Sequence, residues 1–156
     1  MTERDALRHL LATLAYRGGK CLRDAPEGFA LFDACGKAPV AILAHLGDLL
    51  GWSLSLARGG GQWQNHAPLS WEEETARFHA GLEALDRFLA SEAPLQAEWQ
   101  RLLAGPLADA LTHVGQLAML RRLAGAPLAP ENYFKAGVTT GRVGPDQAAP
   151  PPRPVK

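Results

Sequence analysis

Residues 42–52 read Ile42-Leu43-Ala44-His45-Leu46-Gly47-Asp48-Leu49-Leu50-Gly51-Trp52. Apolar residues recur in and after this stretch at the spacing of an α-helix, at Ile42, Leu43, Leu46, Leu49, Leu50 and Leu54. Pro39 suits the first turn of a helix, and Gly59-Gly60-Gly61 stops it. The pattern therefore predicts an apolar helix from Pro39 to about Arg58.

A first helix is predicted upstream of this stretch. Thr2 is a suitable N-cap residue, and Asp5 lies in the first turn, where the helix dipole favours a carboxylate. The buried stripe of this helix is predicted at Leu7, Leu10, Leu11 and Leu14. Gly18-Gly19 either ends the helix or weakens it before Leu22.

Two more helices are predicted downstream. The third opens on a capping box formed by Ser70 and Glu73, and Pro94 closes it. The fourth begins near Leu95, is interrupted at Gly105-Pro106 and restarts. Its restarted part has apolar residues at core spacing, at Leu107, Leu111, Val114, Ala118 and Leu123. A Gly-x-Pro stop at Gly125 and Pro127 ends it. Four amphipathic helices without a β-pattern predict an all-α four-helix bundle.

The composition is that of one globular domain. The chain has 156 residues, of which 47% are hydrophobic, and a chain of this size buries roughly two-thirds of its unfolded surface. We assign residues 1–147 to a single domain. Residues 148–156 form a proline-rich tail that we expect to be extended or disordered.

Charge and cysteine usage narrow the function class. Basic and acidic residues number 16 each and are scattered, which argues against a nucleic-acid partner and against docking on anionic lipid. Cys21 and Cys35 form no C-x-x-C pair, and a disulfide between them stays open. No apolar signal core follows the charged N-terminus, and no apolar run approaches the ~18 residues of a membrane span. We therefore expect a cytoplasmic protein.

Three residues are candidates for a metal site: His45, Asp109 and His113. Asp109 and His113 are four apart, so they share one face of the fourth helix. If the second helix packs against the fourth, His45 can converge with them. Two imidazoles and a carboxylate form an open ligand set for a divalent metal. The alternative is that Asp109 binds no metal and occupies the first turn after Pro106 because the helix dipole favours a carboxylate there.

Other polar residues near this trio have two interpretations each. Asp48 could accept a hydrogen bond from a metal ligand, or it could be a solvated helix aspartate. His66 lies in a loop near Trp63 and could line the mouth of a pocket. Gln116 could hydrogen-bond inside the cavity or cap a polar seam. We expect His79 and His9 to be solvated, and the four tryptophans to be core or to line an apolar pocket.

Two stretches resemble the DinB-like superfamily of bacterial metal-binding four-helix bundles. One is the stretch at 42–52, and the other runs from Leu111 to Gly125. The usual site in that family has three histidines, one on the second helix and an H-x-x-x-H pair on the fourth. His45 matches the first histidine and His113 the last, while Asp109 replaces the middle one.

The resemblance implies an up-down bundle with a longer crossover loop. It also implies a bound divalent metal, for which zinc and nickel are the leading candidates and iron and manganese are the others. It also implies a homodimer and a small-molecule substrate, with a low-molecular-weight thiol among the candidates. The leading hypothesis is a metal-dependent enzyme, a thiol S-transferase or a related detoxification or hydrolytic enzyme. The alternative is a non-catalytic ligand-binding or stress-related interaction module on the same bundle. No serine or cysteine has the setting of a catalytic nucleophile, and no catalytic residue is assigned.

Overall fold

Helices carry nearly all of the buried apolar surface. The structure is a computed structural model that describes residues 1–152, and within that range it contains helices and loops but no β-strand. The main elements are α1 (Glu3–Leu22), α2 (Pro39–Ala57), α3 (Trp71–Ala90), α4 (Trp99–Leu102), a π-helical turn (Leu103–Leu107) and α5 (Ala108–Leu123). Because α4, the π turn and α5 follow one another directly, they form the fourth helical segment of the bundle. The predicted four-helix bundle is confirmed, and residues 153–156 of the predicted tail lie outside the described range.

The second helix is the core element, as its sequence predicts. It packs against both α3 and α5, and leucine and isoleucine side chains on several of its faces are buried. The helix is long and apolar enough to cross a membrane by length and composition, contrary to our reading of the sequence. Most of that apolar window is buried inside the bundle, which is the pattern of a core helix.

The glycine pair in α1 does not end the helix. The helix continues through Gly18 and Gly19 to Leu22, and both glycines are buried. A Cβ atom on Gly18 would lie 2.7 Å from the ring of Phe78, which is fully buried on α3. The missing side chain at this position therefore lets α1 and α3 approach closely, which explains a glycine in the middle of a helix.

The predicted caps of the third helix are present, and its end comes a little earlier than expected. The hydroxyl of Ser70 accepts a hydrogen bond from the amide of Glu73, and the carboxylate of Glu73 accepts one from the amide of Ser70. The helix ends at Ala90, before Pro94. The next segment is tied to the end of α2, where the amide of Gln96 donates to the carbonyl of Ala57 at 3.0 Å.

The fourth segment differs from the prediction at both ends. It begins at Trp99 rather than near Leu95: Glu98 has the extended angles of an N-cap residue (φ −60°, ψ 125°), and the preceding residues form a connection tied to α2 through Gln96. The predicted interruption is present as a kink inside the π turn, where Gly105 has non-helical angles (φ −89°, ψ −107°). Gly125, at φ +76°, ends α5 as predicted.

Leu123 is 57% exposed, so its assignment to the core was wrong; it lies one turn after the exposed Met119 on the outer face.

A C-terminal segment packs back onto α1 and α3. Val143 is buried, and its carbonyl oxygen lies 3.3 Å from Nδ1 of His79 on α3. His79 is only 7% exposed, so the expectation that it is solvated was wrong. Burial lowers the pKa of His79, because the imidazolium loses its water.

Glycine substitutions can test the close approach of α1 to α3. We expect Gly18→Ala to lower the free energy of unfolding by about 1–3 kcal/mol, because the new methyl group meets a buried ring that has no room to move. The matched control is Gly115→Ala on the exposed side of α5, where a Cβ meets nothing within 4 Å. That change should stabilise the protein by up to about 1 kcal/mol through helix propensity. Urea unfolding measures both, and equal effects would contradict the packing.

The buried His79 predicts acid sensitivity. Because its pKa is lowered in the folded state, its contribution to stability is intact above the unfolded pKa of about 6.5. That contribution is lost as the pH falls through the folded pKa, since the unfolded chain binds the proton more tightly. His79→Gln should therefore flatten the decline in melting temperature below pH 6.5, measured on metal-free protein. A His9→Gln control, on an exposed residue, should keep the wild-type slope.

Candidate metal centre

The second helix and α5 bring the three predicted ligands together. His45 extends from α2, and Asp109 and His113 extend from α5, so that a potential ligand atom of each lies within 4.8 Å of the other two. Oδ2 of Asp109 lies 3.7 Å from Nε2 of His45, and Oδ1 lies 3.5 Å from Nε2 of His113. The carboxylate therefore presents one oxygen to each imidazole.

The distances suit a shared metal ion. Two ligands each ~2.1 Å from a tetrahedral ion are ~3.4 Å apart. The two carboxylate–imidazole distances are within a few tenths of an ångström of that separation. The two imidazole rings are also close, with centroids 4.6 Å apart at an angle of 81°.

Core packing explains why these side chains converge. On α5, the buried residues Ala110, Val114 and Leu117 face the bundle, which leaves Asp109 and His113 at the edge of the contact with α2. His45 occupies the corresponding edge of α2 and is partly buried. The exposed fractions of the side chains are 14% for His113, 25% for His45 and 49% for Asp109. The site is therefore open to solvent on the side of the carboxylate.

Gln116 fixes the tautomer of His113. Its Oε1 lies 2.7 Å from Nδ1 of His113, and an amide oxygen can only accept. Nδ1 of His113 therefore carries the proton and donates it, which leaves the lone pair of Nε2 facing Asp109. This arrangement is the one that metal-binding histidines use, with the second ring nitrogen held by an oxygen acceptor.

The surroundings of His45 favour its neutral form. Burial lowers the pKa of this imidazole, and the charge of Lys37 and the charge that His113 carries when protonated lower it further. The carboxylate of Asp109 acts in the opposite direction but does not reverse the shift. A neutral imidazole is the form that binds a metal ion.

Two tryptophans form an apolar wall beside His45. The ring of Trp63 contacts the ring of His45, with centroids 5.5 Å apart, and the ring of Trp52, with centroids 5.6 Å apart. Both tryptophans are therefore close to the site, as one of our two interpretations allowed. Trp71 instead packs on Phe29 away from it, with centroids 5.4 Å apart.

Asp48 takes neither of its predicted roles. It is only 4% exposed and contacts none of the three ligands through a hydrogen bond. It accepts hydrogen bonds from Arg77 at 2.8 Å and from Nδ1 of His66 at 2.6 Å. His66 does line a pocket, a small polar one between α2 and the loop that precedes α3. No local pattern in the sequence indicates Arg77, 29 residues away, as the partner of Asp48.

A larger cleft begins one helical turn from Asp109. Its volume is about 600 Å³, within the range of small-molecule sites. Trp52 lies on one side of this cleft, and Gly105 and Pro106 of the π turn lie on the other. Glu98 and Arg101 are the charged residues in its lining.

The fold and the site together define a class, a helical bundle with a three-residue cluster that could hold a metal ion. Comparison with known protein families, curated proteins and solved structures finds no match to this chain. The geometry of the cluster therefore carries the functional argument.

The proximity of the trio can be tested by titration of His45. Asp109→Asn should lower the pKa of His45 further, because the carboxylate that favours the imidazolium is removed. His113→Gln should raise it, because a neighbouring imidazole that can carry a positive charge is removed. NMR of the histidine ring protons in metal-free protein measures both shifts, with the exposed Asp146→Asn as control. Shifts of the same sign in both variants would contradict the geometry.

Proposed function

We propose that this chain is a DinB-like protein that binds one divalent metal ion through His45, Asp109 and His113 and acts as a metal-dependent enzyme. The observation that carries the proposal is the convergence of three ligand atoms within 4.8 Å, on two different helices, at a solvent-open edge. The resemblance of the two helical stretches to the DinB-like superfamily supports the same assignment.

The donor set guides the choice of metal. Imidazole suits zinc, nickel, iron and copper, and a carboxylate in place of a third imidazole adds a harder oxygen ligand. We propose zinc or nickel first, with iron and manganese as the other candidates. Neither cysteine is among the three candidate ligands, and both are free thiols in the structure. Free thiols fit the reducing cytoplasm, where we place the protein.

The reaction that we propose is transfer of a low-molecular-weight thiol to a small electrophile, or a related hydrolysis. A divalent metal held in such a site would lower the pKa of a coordinated thiol or water to near neutral pH. Gln116 would hold His113 in its binding tautomer, and Trp63 would shield His45 from water. The cleft of about 600 Å³ would hold the organic part of a small-molecule substrate.

Metal analysis of protein purified without a histidine tag tests the proposal. We expect about one equivalent of zinc or nickel per chain, after purification or after incubation with the metal. His45→Ala and Asp109→Ala should each lose the metal. Both should also lose the rise in melting temperature that metal gives the wild type, since a ligand bound to the folded state stabilises it.

The control is His9→Ala, which removes an exposed imidazole on α1 and should leave the metal content unchanged. Less than about a tenth of an equivalent, after incubation with zinc, nickel or manganese, would overturn the metal site. Metal binding without turnover of any low-molecular-weight thiol and electrophile pair tested would favour the non-catalytic module. Light scattering on the same samples tests the homodimer that the resemblance implies.

A further inference from the structure

The loop between α2 and α3 contacts the candidate metal centre through Trp63 and is anchored at both ends. We call residues 59–69 the cover loop. Near its start, the carbonyl of Gly61 accepts a hydrogen bond from Nε1 of Trp52 at 3.1 Å. At its end, the amide of Leu69 donates to Oε1 of Glu74 at 3.0 Å, and the side chain of Glu74 is fully buried. Both anchors belong to the helices that flank the loop.

A third anchor lies in the middle of the cover loop, at His66. Its backbone amide donates to Oδ2 of Asp48 at 3.2 Å, and its ring nitrogen Nδ1 lies 2.6 Å from Oδ1. Because a carboxylate only accepts, Nδ1 carries the proton and donates it. Asp48 is itself buried and held by Arg77, so it is a fixed point on α2. The exposed His66 is thereby tied to the bundle by two hydrogen bonds.

Trp63 lies in the cover loop between the first anchor and His66. Its ring contacts His45 and Trp52, with centroids 5.5 and 5.6 Å away. His45 and Asp48 are three residues apart on α2, a rise of ~4.5 Å along the helix axis. The cover loop thus places the ring of Trp63 on the candidate ligand His45. It also places the imidazole of His66 on Asp48, which lies one turn further along α2.

We propose that His66, held by Asp48, is a positioning residue for the metal centre. It keeps Trp63 against the ring of His45, and this contact holds the imidazole in the orientation that faces Asp109 and His113. Without the contact, His45 gains rotamer freedom that metal binding must then remove. This inference rests on the proposed metal site, and it adds two residues, His66 and Trp63, that are not among the proposed ligands.

Two substitutions of His66 separate its hydrogen bond from its bulk. The side-chain nitrogen of asparagine occupies the place of Nδ1, so His66→Asn keeps a donor to Asp48, whereas His66→Ala removes it. We expect His66→Ala to weaken Zn²⁺ binding by about tenfold, as loss of a supporting contact around a metal site does. His66→Asn should retain most of the wild-type affinity. Competition with a chelator measures both affinities.

A double-mutant cycle tests whether His66 acts through Trp63. Trp63→Ala should weaken Zn²⁺ binding as much as His66→Ala, and the double variant should be no weaker than either, because both changes break one link. The absorption spectrum of bound Co²⁺ should shift in the same way in both single variants, since it reports ligand geometry at the ion. His9→Ala is the matched control and should leave affinity and spectrum unchanged.

The outcomes distinguish this inference from the function on which it rests. If wild-type protein binds no Zn²⁺, the proposed metal site fails. If it binds Zn²⁺ and His66→Ala binds equally well, or if His66→Asn is as weak as His66→Ala, the positioning role is wrong. Additive losses in the double variant would also overturn it. Trp63→Phe keeps an aromatic ring on His45 and should bind Zn²⁺ more tightly than Trp63→Ala. This comparison tests the aromatic contact even if His66→Ala folds poorly.

Discussion

The burial of α2 is the constraint on which the rest of the structure depends. The helix packs against α3 on one side and against α5 on another, and its leucines and isoleucine supply much of the core. A charged or titratable side chain on such a helix needs partners from a neighbouring element, because an unpaired group of this kind in the core is unfavourable. His45 lies at the seam with α5 and Asp48 lies at the seam with α3. The two seams of one helix thus hold the candidate metal centre and the anchor of the cover loop.

The π turn sets where the other two ligands lie. Gly105 departs from helical angles and Pro106 has no amide to donate, so the ladder of helical hydrogen bonds is broken before α5 begins. Asp109 consequently lies in the first turn of a new helix, where the helix dipole favours an ionised carboxylate. The dipole explanation and the metal explanation of Asp109 are therefore compatible, since the ionised form is the one that binds a cation. His113, one turn later, faces the same seam.

Local patterns carried most of the fold prediction. Leucine spacing, the Ser70–Glu73 capping box and the glycine stops are decided within a few residues, so the helices could be read from the sequence. His45, Asp109 and His113 could be brought together because helical periodicity places two of them on one face and the third lies on an apolar helix that was expected to pack against it. Asp48 and His79 could not be assigned, because their burial depends on Arg77 and on the segment around Val143, which are distant in sequence. The contact of Trp63 with His45 could not be assigned either, because the sequence of a loop does not determine which helix face the loop covers.

The ionic network around Asp48 is better explained by positioning than by stability. The carboxylates of Asp48 and Glu74 are both buried and share the guanidinium of Arg77, at 2.8 and 2.7 Å. Apolar side chains of similar volume often stabilise a core as well as such a network does, because the ions lose their water. Apolar contacts lack direction, however, whereas Asp48 accepts two bonds from His66 and Glu74 accepts one from Leu69. Those directed bonds define where the cover loop lies, and with it the ring that rests on His45. Because Asp48 follows His45 by one turn of the same helix, a shift of α2 moves the ligand and the anchor together and preserves their relation.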